Sequence, residues 1–235
     1  MRARVHAGLA IVLGAVVLWP SVAMAGVSGG TITSSGPLTS ISTSADLNCA
    51  INHVSDAHGE LFDDIACGTL VAVGGTLYGP EDIPAGGAAE PRTFWTKLSQ
   101  TSGGVGTGSN PYRIVTSVRG GPIDITQSDT YVTGVEYYGT KVTVTNTADS
   151  ARTITLYRVG DCYLQDSDFG YGAVDANARS VSCTTAQTPG SRVEQWAPLT
   201  AGSRYAEGFY GDIWEMVGSQ QPLPNTCECD IRQDN

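Results

Sequence analysis

The residues best equipped for chemistry fall in one run, Gly160-Asp161-Cys162-Tyr163-Leu164-Gln165-Asp166-Ser167-Asp168-Phe169-Gly170-Tyr171-Gly172. Carboxylates two apart, followed by glycines, are what an oxygen-ligand calcium loop uses, because alternate side chains converge where Gly lets the backbone bend. The run departs from the helix-loop-helix calcium pattern: counting Asp166 as position one, position six is Tyr171 and position twelve is Asn177. The expectation is a non-helical calcium site with Asp161, Asp166 and Asp168 as ligands and Asp175 as a further one. The competing role is a turn rich in Gly and Asp, pinned by Cys162.

Other constellations are weaker. His53 and His58 share an acidic stretch with Asp56, Glu60, Asp63 and Asp64, but their spacing fits no zinc signature, and exposed loop histidines are the expectation. Gly26-Val27-Ser28-Gly29-Gly30 matches G-x-S-x-G, a motif that works only on a strand-to-helix elbow. At the start of a processed chain it has no elbow to sit on. Leu223-Pro224-Asn225-Thr226-Cys227 resembles a cell-wall sorting motif without its Gly, and is rejected. Glycosidases need two carboxylates about 5 to 10 Å apart, and Glu194, Glu207, Asp212 and Glu215 are candidates in a stretch rich in aromatics. Acidic residues are numerous here, so such pairs also arise by accident. Tyr163, Phe169, Tyr171, Trp196, Tyr205, Phe209, Tyr210 and Trp214 crowd the C-terminal third, where rings either fill a core or hold a sugar. Tyr171, Tyr205, Glu207, Tyr210 and Asp212 are the residues expected to contact such a ligand, with Trp196 assigned to the core.

The 235 residues carry a formal charge of −10, and Lys is nearly absent. A nucleic-acid partner needs a basic face, so that class is excluded. Arg2 and Arg4, an apolar run from Gly8 to Trp19, and Ala23-Met24-Ala25 predict a secretory leader cleaved after Ala25. No other apolar run approaches the roughly 18 residues of a membrane span. Residues 26–235 then form a single domain in an extracellular setting. All six cysteines follow the leader, which predicts three disulfides in an oxidising compartment. Cys49 with Cys67 is the favoured first pair. Cys227 and Cys229 are so close that a direct bridge closes a very small ring, so Cys162 and Cys183 are each expected to reach one of them; Cys162 with Cys183 is the rival.

The elements that must hold these residues read as strands. Gly, Ser and Thr abound, and Val, Ile and Tyr occur in short runs. Alternation is clearest in 141–146 and 152–157, with turn chemistry at 147–150 between them, which predicts a hairpin. Further strands are expected over 47–53, 69–77, 92–98, 112–118, 123–127, 131–137 and 192–197, and one or two helical turns over 211–217. Strands at this frequency predict an antiparallel β-sandwich, disulfide-stapled and of the large supersandwich type. The polar ending Asp230 to Asn235 contains no evident terminating strand, as in an excerpt of a longer protein.

Several runs together resemble a known module: Ala45-Asp46-Leu47-Asn48-Cys49, Ala66-Cys67-Gly68-Thr69, Gly75-Thr76-Leu77-Tyr78-Gly79-Pro80, Leu156-Tyr157-Arg158 with Gly160-Asp161-Cys162-Tyr163-Leu164, and Gly218-Ser219-Gln220-Gln221-Pro222. The chain resembles, over nearly its whole processed length, an uncharacterised secreted module of actinobacterial surface and exported proteins. That resemblance implies compartment and one β domain, and assigns no catalytic residue. A looser likeness, of architecture only, is to the large carbohydrate-binding sandwiches of the mutarotase-like group. The expected function is a secreted, non-catalytic binding or structural module whose ligand is an extracellular glycan or cell-surface component. The alternatives are a glycosidase-type enzyme using paired carboxylates and a purely structural spacer.

Overall fold

A computed structural model describes residues 29–83 and 89–235. The leader over 1–25, its cleavage point and most of the G-x-S-x-G match lie outside the described residues. In chain order the strands are β1 (Gly30–Thr33), β2 (Leu38–Thr43), β3 (Cys49–His53), β4 (Cys67–Val73), β5 (Thr76–Gly79), β6 (Arg92–Phe94), β7 (Thr96–Gly103), β8 (Tyr112–Gly120) and β9 (Ile123–Tyr131). They continue as β10 (Gly139–Asn146), β11 (Ile154–Gly160), β12 (Phe169–Asp175), β13 (Ser180–Thr184), β14 (Val193–Trp196), β15 (Ala206–Glu207), β16 (Thr226–Cys227) and β17 (Gln233–Asp234). One helix, α1, runs Tyr210–Gly218, close to its expected place.

The sandwich expectation is overturned. Instead of two large facing sheets, small sheets ordered β1-β2-β3, β10-β9-β8-β7, β11-β4-β5-β6 and β14-β13-β12-β17 form a ring in the manner of a four-bladed β-propeller. Short strands and frequent Gly or Pro turns suit both architectures, so strand count alone does not separate them.

The hairpin expected from 141–146 and 152–157 does not form. β10 pairs with β9, whereas β11 crosses to β4, so the 147–150 turn joins two different sheets. The strand expected over 69–77 is a hairpin of its own: Gly74 and Gly75 have φ of 60° and 80°, the left-handed pair that a two-residue turn demands. Residues 92–98 divide at Trp95 into β6 and β7, and 132–138 is turn rather than strand. The tail, expected to lack a strand, supplies β17, which pairs with the start of β12.

Packing explains the sheet order. β4 is buried at all seven residues, because it is central in its sheet and covered on both faces. Val71 and Val73 meet Val118, Ile123 and Ile125 of the neighbouring sheet, while Leu70 and Ala72 meet Trp214 and Val217 of α1. Ile32, Ile41 and Ile51 of the first sheet pack on Ile114 and Tyr131, with Trp196 half-buried against that cluster. Where three sheets approach, a polar chain runs inside. Thr43 Oγ1, Gln127 Nε2 and Thr140 Oγ1 donate to Asp129, Thr69 Oγ1 donates to Gln127 Oε1 at 2.6 Å, and Arg158 donates to Thr69 Oγ1 and to the Tyr138 hydroxyl. Asp129, Gln127 and Thr69 are almost wholly buried, and a network satisfied in this way fixes one arrangement of sheets.

Three disulfides are present and no described cysteine is free. Cys49–Cys67 ties β3 to β4, as expected. The remaining four correct the expected pairing: Cys162 bonds Cys183, and Cys227 bonds Cys229 across a single residue. The rival pairing prevails because Cys162 leaves the end of β11 beside β13, with both half-cystines buried. These bridges fit an oxidising compartment. No described helix is long and apolar enough to cross a membrane.

Candidate functional site

Asp161 and Cys162 follow Gly160, the last residue of β11, and the Asp161 backbone is held on both sides. The Asp161 N–H donates to the Ala66 carbonyl at 2.8 Å, and the Phe62 N–H donates to the Asp161 carbonyl at 3.0 Å. Asp168 lies immediately before β12, and the register of β12 with β17 sets Phe169 opposite Asp234. The Cys162 N–H donates to the Asn235 carbonyl at 2.7 Å, which draws the tail onto the same corner. As a result, one carboxylate oxygen from each of Asp161, Asp168 and Asp234 lies within 4.8 Å of the others. An Oδ1 of each is out of contact with solvent and lacks a hydrogen-bond partner, and Asp161 as a residue is only 3% exposed. Burial, then the charges of Asp234 and Asp168, push Asp161 up to about 8. Burial and Asp168 push Asp234 up to about 6, and burial raises Asp168.

Of the expected calcium ligands, Asp161 and Asp168 are therefore brought together, and Asp166 is placed elsewhere. Asp166 accepts from the His58 ring at 2.9 Å and from the backbone N–H groups of Ala57 and His58, and the His58 contact holds its carboxyl low. Asp175 caps its own turn by accepting from the Asn177 and Ala178 N–H groups. Asp234 was missed. It is 66 positions beyond Asp168, and only the β12–β17 register brings the two together.

A second acidic group centres on Arg192, which bridges Asp56 and Glu60, with 2.6 Å from Nη2 to Glu60 Oε1. Burial and the hydrogen bond that protonated Glu60 donates to Asp56 push Glu60 up to about 8, while Asp56 is held below its ordinary value by Glu60 and Arg192 despite its burial. Glu194 lies near both Glu60 and Asp161 and is raised well above the usual range, mainly by burial. Asp56 and Glu60, with oxygens within 4.8 Å of each other and both held by Arg192, leave no room for a glycosidic bond between them. His53, Asp56 and Glu60 could together offer three metal ligands, but Arg192 already supplies the positive charge there.

Glu60 sets a pH expectation. It keeps its proton in the folded chain up to about pH 8 and releases it near 4.5 when unfolded, so the folded state binds more protons across that window. Stability then falls as pH rises from about 4.5 to about 8; the lowered Asp56 contributes in the opposite sense, its share being lost only in acid. Urea midpoints measured from pH 5 to 8 should decline, and Glu60→Gln should flatten that decline. An unchanged slope in the variant would show that Glu60 is already ionised at pH 5.

The residues expected to hold a sugar occupy different settings. Tyr171 is half-buried in β12 opposite Thr184, and Tyr205 is half-buried in a loop tied to Asn225. Glu207 is 7% exposed in β15, where Asn235 Nδ2 donates to its Oε1 at 2.7 Å. Its Oε2 lies 2.9 Å from the Cys227 sulfur, which as a disulfide carries no proton; burial raises the carboxyl, and a protonated carboxyl can donate to sulfur. Tyr210 opens α1, half-buried against the core and edge-on to Phe209 at 4.7 Å between ring centres, while Asp212 is exposed in the first helical turn. Trp214 is core.

Compared with family profiles, curated proteins and solved structures, the chain has no match. Its surface must then be read from its own geometry. A depression of about 380 Å³, open to solvent, lies on the β12–β14 sheet and is walled by Gly172, Thr184, Gln187, Thr188, Ser191 and Asp230 among others. One hydrogen-bonded line also has the parts of a nucleophilic relay: Ser55 Oγ is 2.8 Å from His53 Nδ1, and His53 Nε2 is 3.3 Å from Glu136. Sequence offered no sign of it, since Ser55 follows His53 by two and Glu136 lies in a distant turn.

Proposed function

We propose that the chain is a non-catalytic binding module of an exported protein, whose ligand is a glycan met at the depression on the β12–β14 sheet. The observation that carries this reading is the wall of that depression: hydroxyl and amide groups of Thr188, Ser191 and Gln187 with a single carboxylate, Asp230. Neutral donors and acceptors at an open surface match the hydroxyls of a sugar, which exchanges water for protein hydrogen bonds without a buried charge. Binding of the oxidised protein to a glycan array, repeated with Ser191→Trp to fill the depression, tests it. Binding that Ser191→Trp abolishes supports the reading; an array without signal, or signal indifferent to the variant, overturns it.

A second reading is favoured by one observation, the Ser55, His53 and Glu136 line. Against it, Ser55 Oγ accepts from Arg192 at 2.9 Å and has Asp56 Oδ1 as a competing acceptor at 3.2 Å, and Ser55 and Glu136 are both exposed, where water screens a relay. A fluorophosphonate probe decides it. No labelling is expected; labelling that disappears in Ser55→Ala would make the chain a serine hydrolase.

A further inference from the structure

We propose that Asp161, Asp168 and Asp234 form a binding site for a hard divalent cation, calcium in preference to magnesium, which fastens the C-terminal tail to the end of β11. This stands apart from the glycan reading and uses none of its residues.

Three observations lead there. First, the donor set is oxygen only, the preference of calcium and magnesium rather than of zinc or copper. Second, the three oxygens have nothing else to bind. None of these carboxylates takes part in an ion pair among the described residues, and Asp161 Oδ1, Asp168 Oδ1 and Asp234 Oδ1 are each buried without a hydrogen-bond partner. Asp161 is the decisive one, because the residue is only 3% exposed and its backbone is held on both sides, which keeps its carboxyl at this dry corner. A buried carboxyl without a partner must either keep its proton or take a cation, and a cation lets the three ionise together. Third, the spacing fits. Ligands at 2.3 to 2.6 Å from calcium lie at most about 4.6 to 5.2 Å apart across the ion, and the three oxygens lie within 4.8 Å of one another. Magnesium demands near-ideal octahedral geometry and gives up its waters reluctantly, so a buried corner of three protein carboxylates suits it less well than calcium.

The consequence is structural. Asp161 follows β11, Asp168 precedes β12 and Asp234 belongs to β17, so one ion joins three elements that otherwise share the Cys162–Cys183 bridge, two β12–β17 register pairs and the Cys162 to Asn235 hydrogen bond. Two alternative candidates fail where this one succeeds. The group of His53, Asp56 and Glu60 is occupied by Arg192, and that of Glu207, Cys227 and Cys229 has its sulfurs in a disulfide.

The test uses the full oxidised chain, stripped with chelator and returned to calcium or magnesium chloride, with melting followed by circular dichroism and terbium luminescence read in parallel. Calcium at about a hundred times its dissociation constant should raise the melting temperature by about 5 to 10 °C, and magnesium by less. Terbium should luminesce in the wild type and be displaced by calcium. Asp161→Asn and Asp234→Asn should lose both signals while melting, in chelator, no lower than the wild type, because the amide removes a buried like charge; Asp166→Asn should keep both. Identical melting curves in calcium and chelator without terbium signal overturn the site. So does a response that survives in Asp161→Asn and Asp234→Asn.

Discussion

Replacing Cys49 and Cys67 together by Ala should cost about 3 kcal/mol of stability, whereas replacing Cys227 and Cys229 by Ser should cost about half that. The difference follows from loop size. A bridge acts chiefly by restricting the unfolded chain, and Cys49–Cys67 closes a separation of 18 residues while Cys227–Cys229 closes a separation of only 2. Cys162–Cys183, at 21, belongs with the larger effect. Position adds to the first case, because Cys49 and Cys67 are 2% and 1% exposed and join two different sheets of the ring. Urea unfolding of the two double variants, followed by fluorescence, measures the comparison. Equal losses would show that loop closure does not set the ranking. In the untreated protein, thiol titration under denaturation should find no reactive thiol, as the three bonded pairs require.

Trp214→Ala should be the most damaging single substitution on α1, at about 3 to 5 kcal/mol. A helix of nine residues is marginal by itself in water, so its helicity depends on what it covers. Trp214 is 1% exposed and fits with Val217 against Leu70, Ala72, Leu77, Tyr157 and Val159, the outer face of the β11-β4-β5-β6 sheet. Losing the indole opens a large cavity under that face and releases the helix at once. Phe209→Ala, at a residue 38% exposed just before the helix, is the control and should cost well under half as much. A Trp214→Ala variant within about 1 kcal/mol of the wild type would mean that the helix is not part of the core.

The carboxylates illustrate how far sequence reaches into a site. Asp161 and Asp168 stand within eight positions of each other in a segment of Gly and Asp, so their proximity was legible from composition and turn chemistry alone. Which oxygens face inward was not. Asp166, two residues from Asp168 and chemically identical, is turned away because the His58 ring and two backbone N–H groups of the 53–58 turn reach it first. Glu60 and Glu194 were visible only as members of a large acidic population. Burial raises both, with the hydrogen bond to Asp56 adding at Glu60 and the nearby Glu60 and Asp161 charges adding at Glu194, so each depends on how the loop after β3 and the start of β14 come together.

Local chemistry in the sequence determined the elements whose signals are local. Alternation in 112–118 and 123–127 made strands there, the Gly211 to Val217 run made the helix, and an even count of six cysteines made three bridges. Nothing local distinguishes a hairpin from two strands that part company, and 141–146 and 152–157 show why. Both alternate, and a turn joins them, yet Val142 and Val144 pair with Gln127 and Ile125 of β9, while Tyr157 pairs with Leu70 of β4. The pairing is chosen by which apolar faces can be covered at once, a property of the whole chain. Tertiary structure alone therefore decided a ring of small sheets over a sandwich, Cys162 with Cys183 over either sulfur of the Cys-Glu-Cys pair, and Asp234 over Asp166 at the corner of three carboxylates. Each of these depends on residues far apart in sequence, whose meeting must offset the entropy of closing the chain between them, and that balance is struck only by the complete fold.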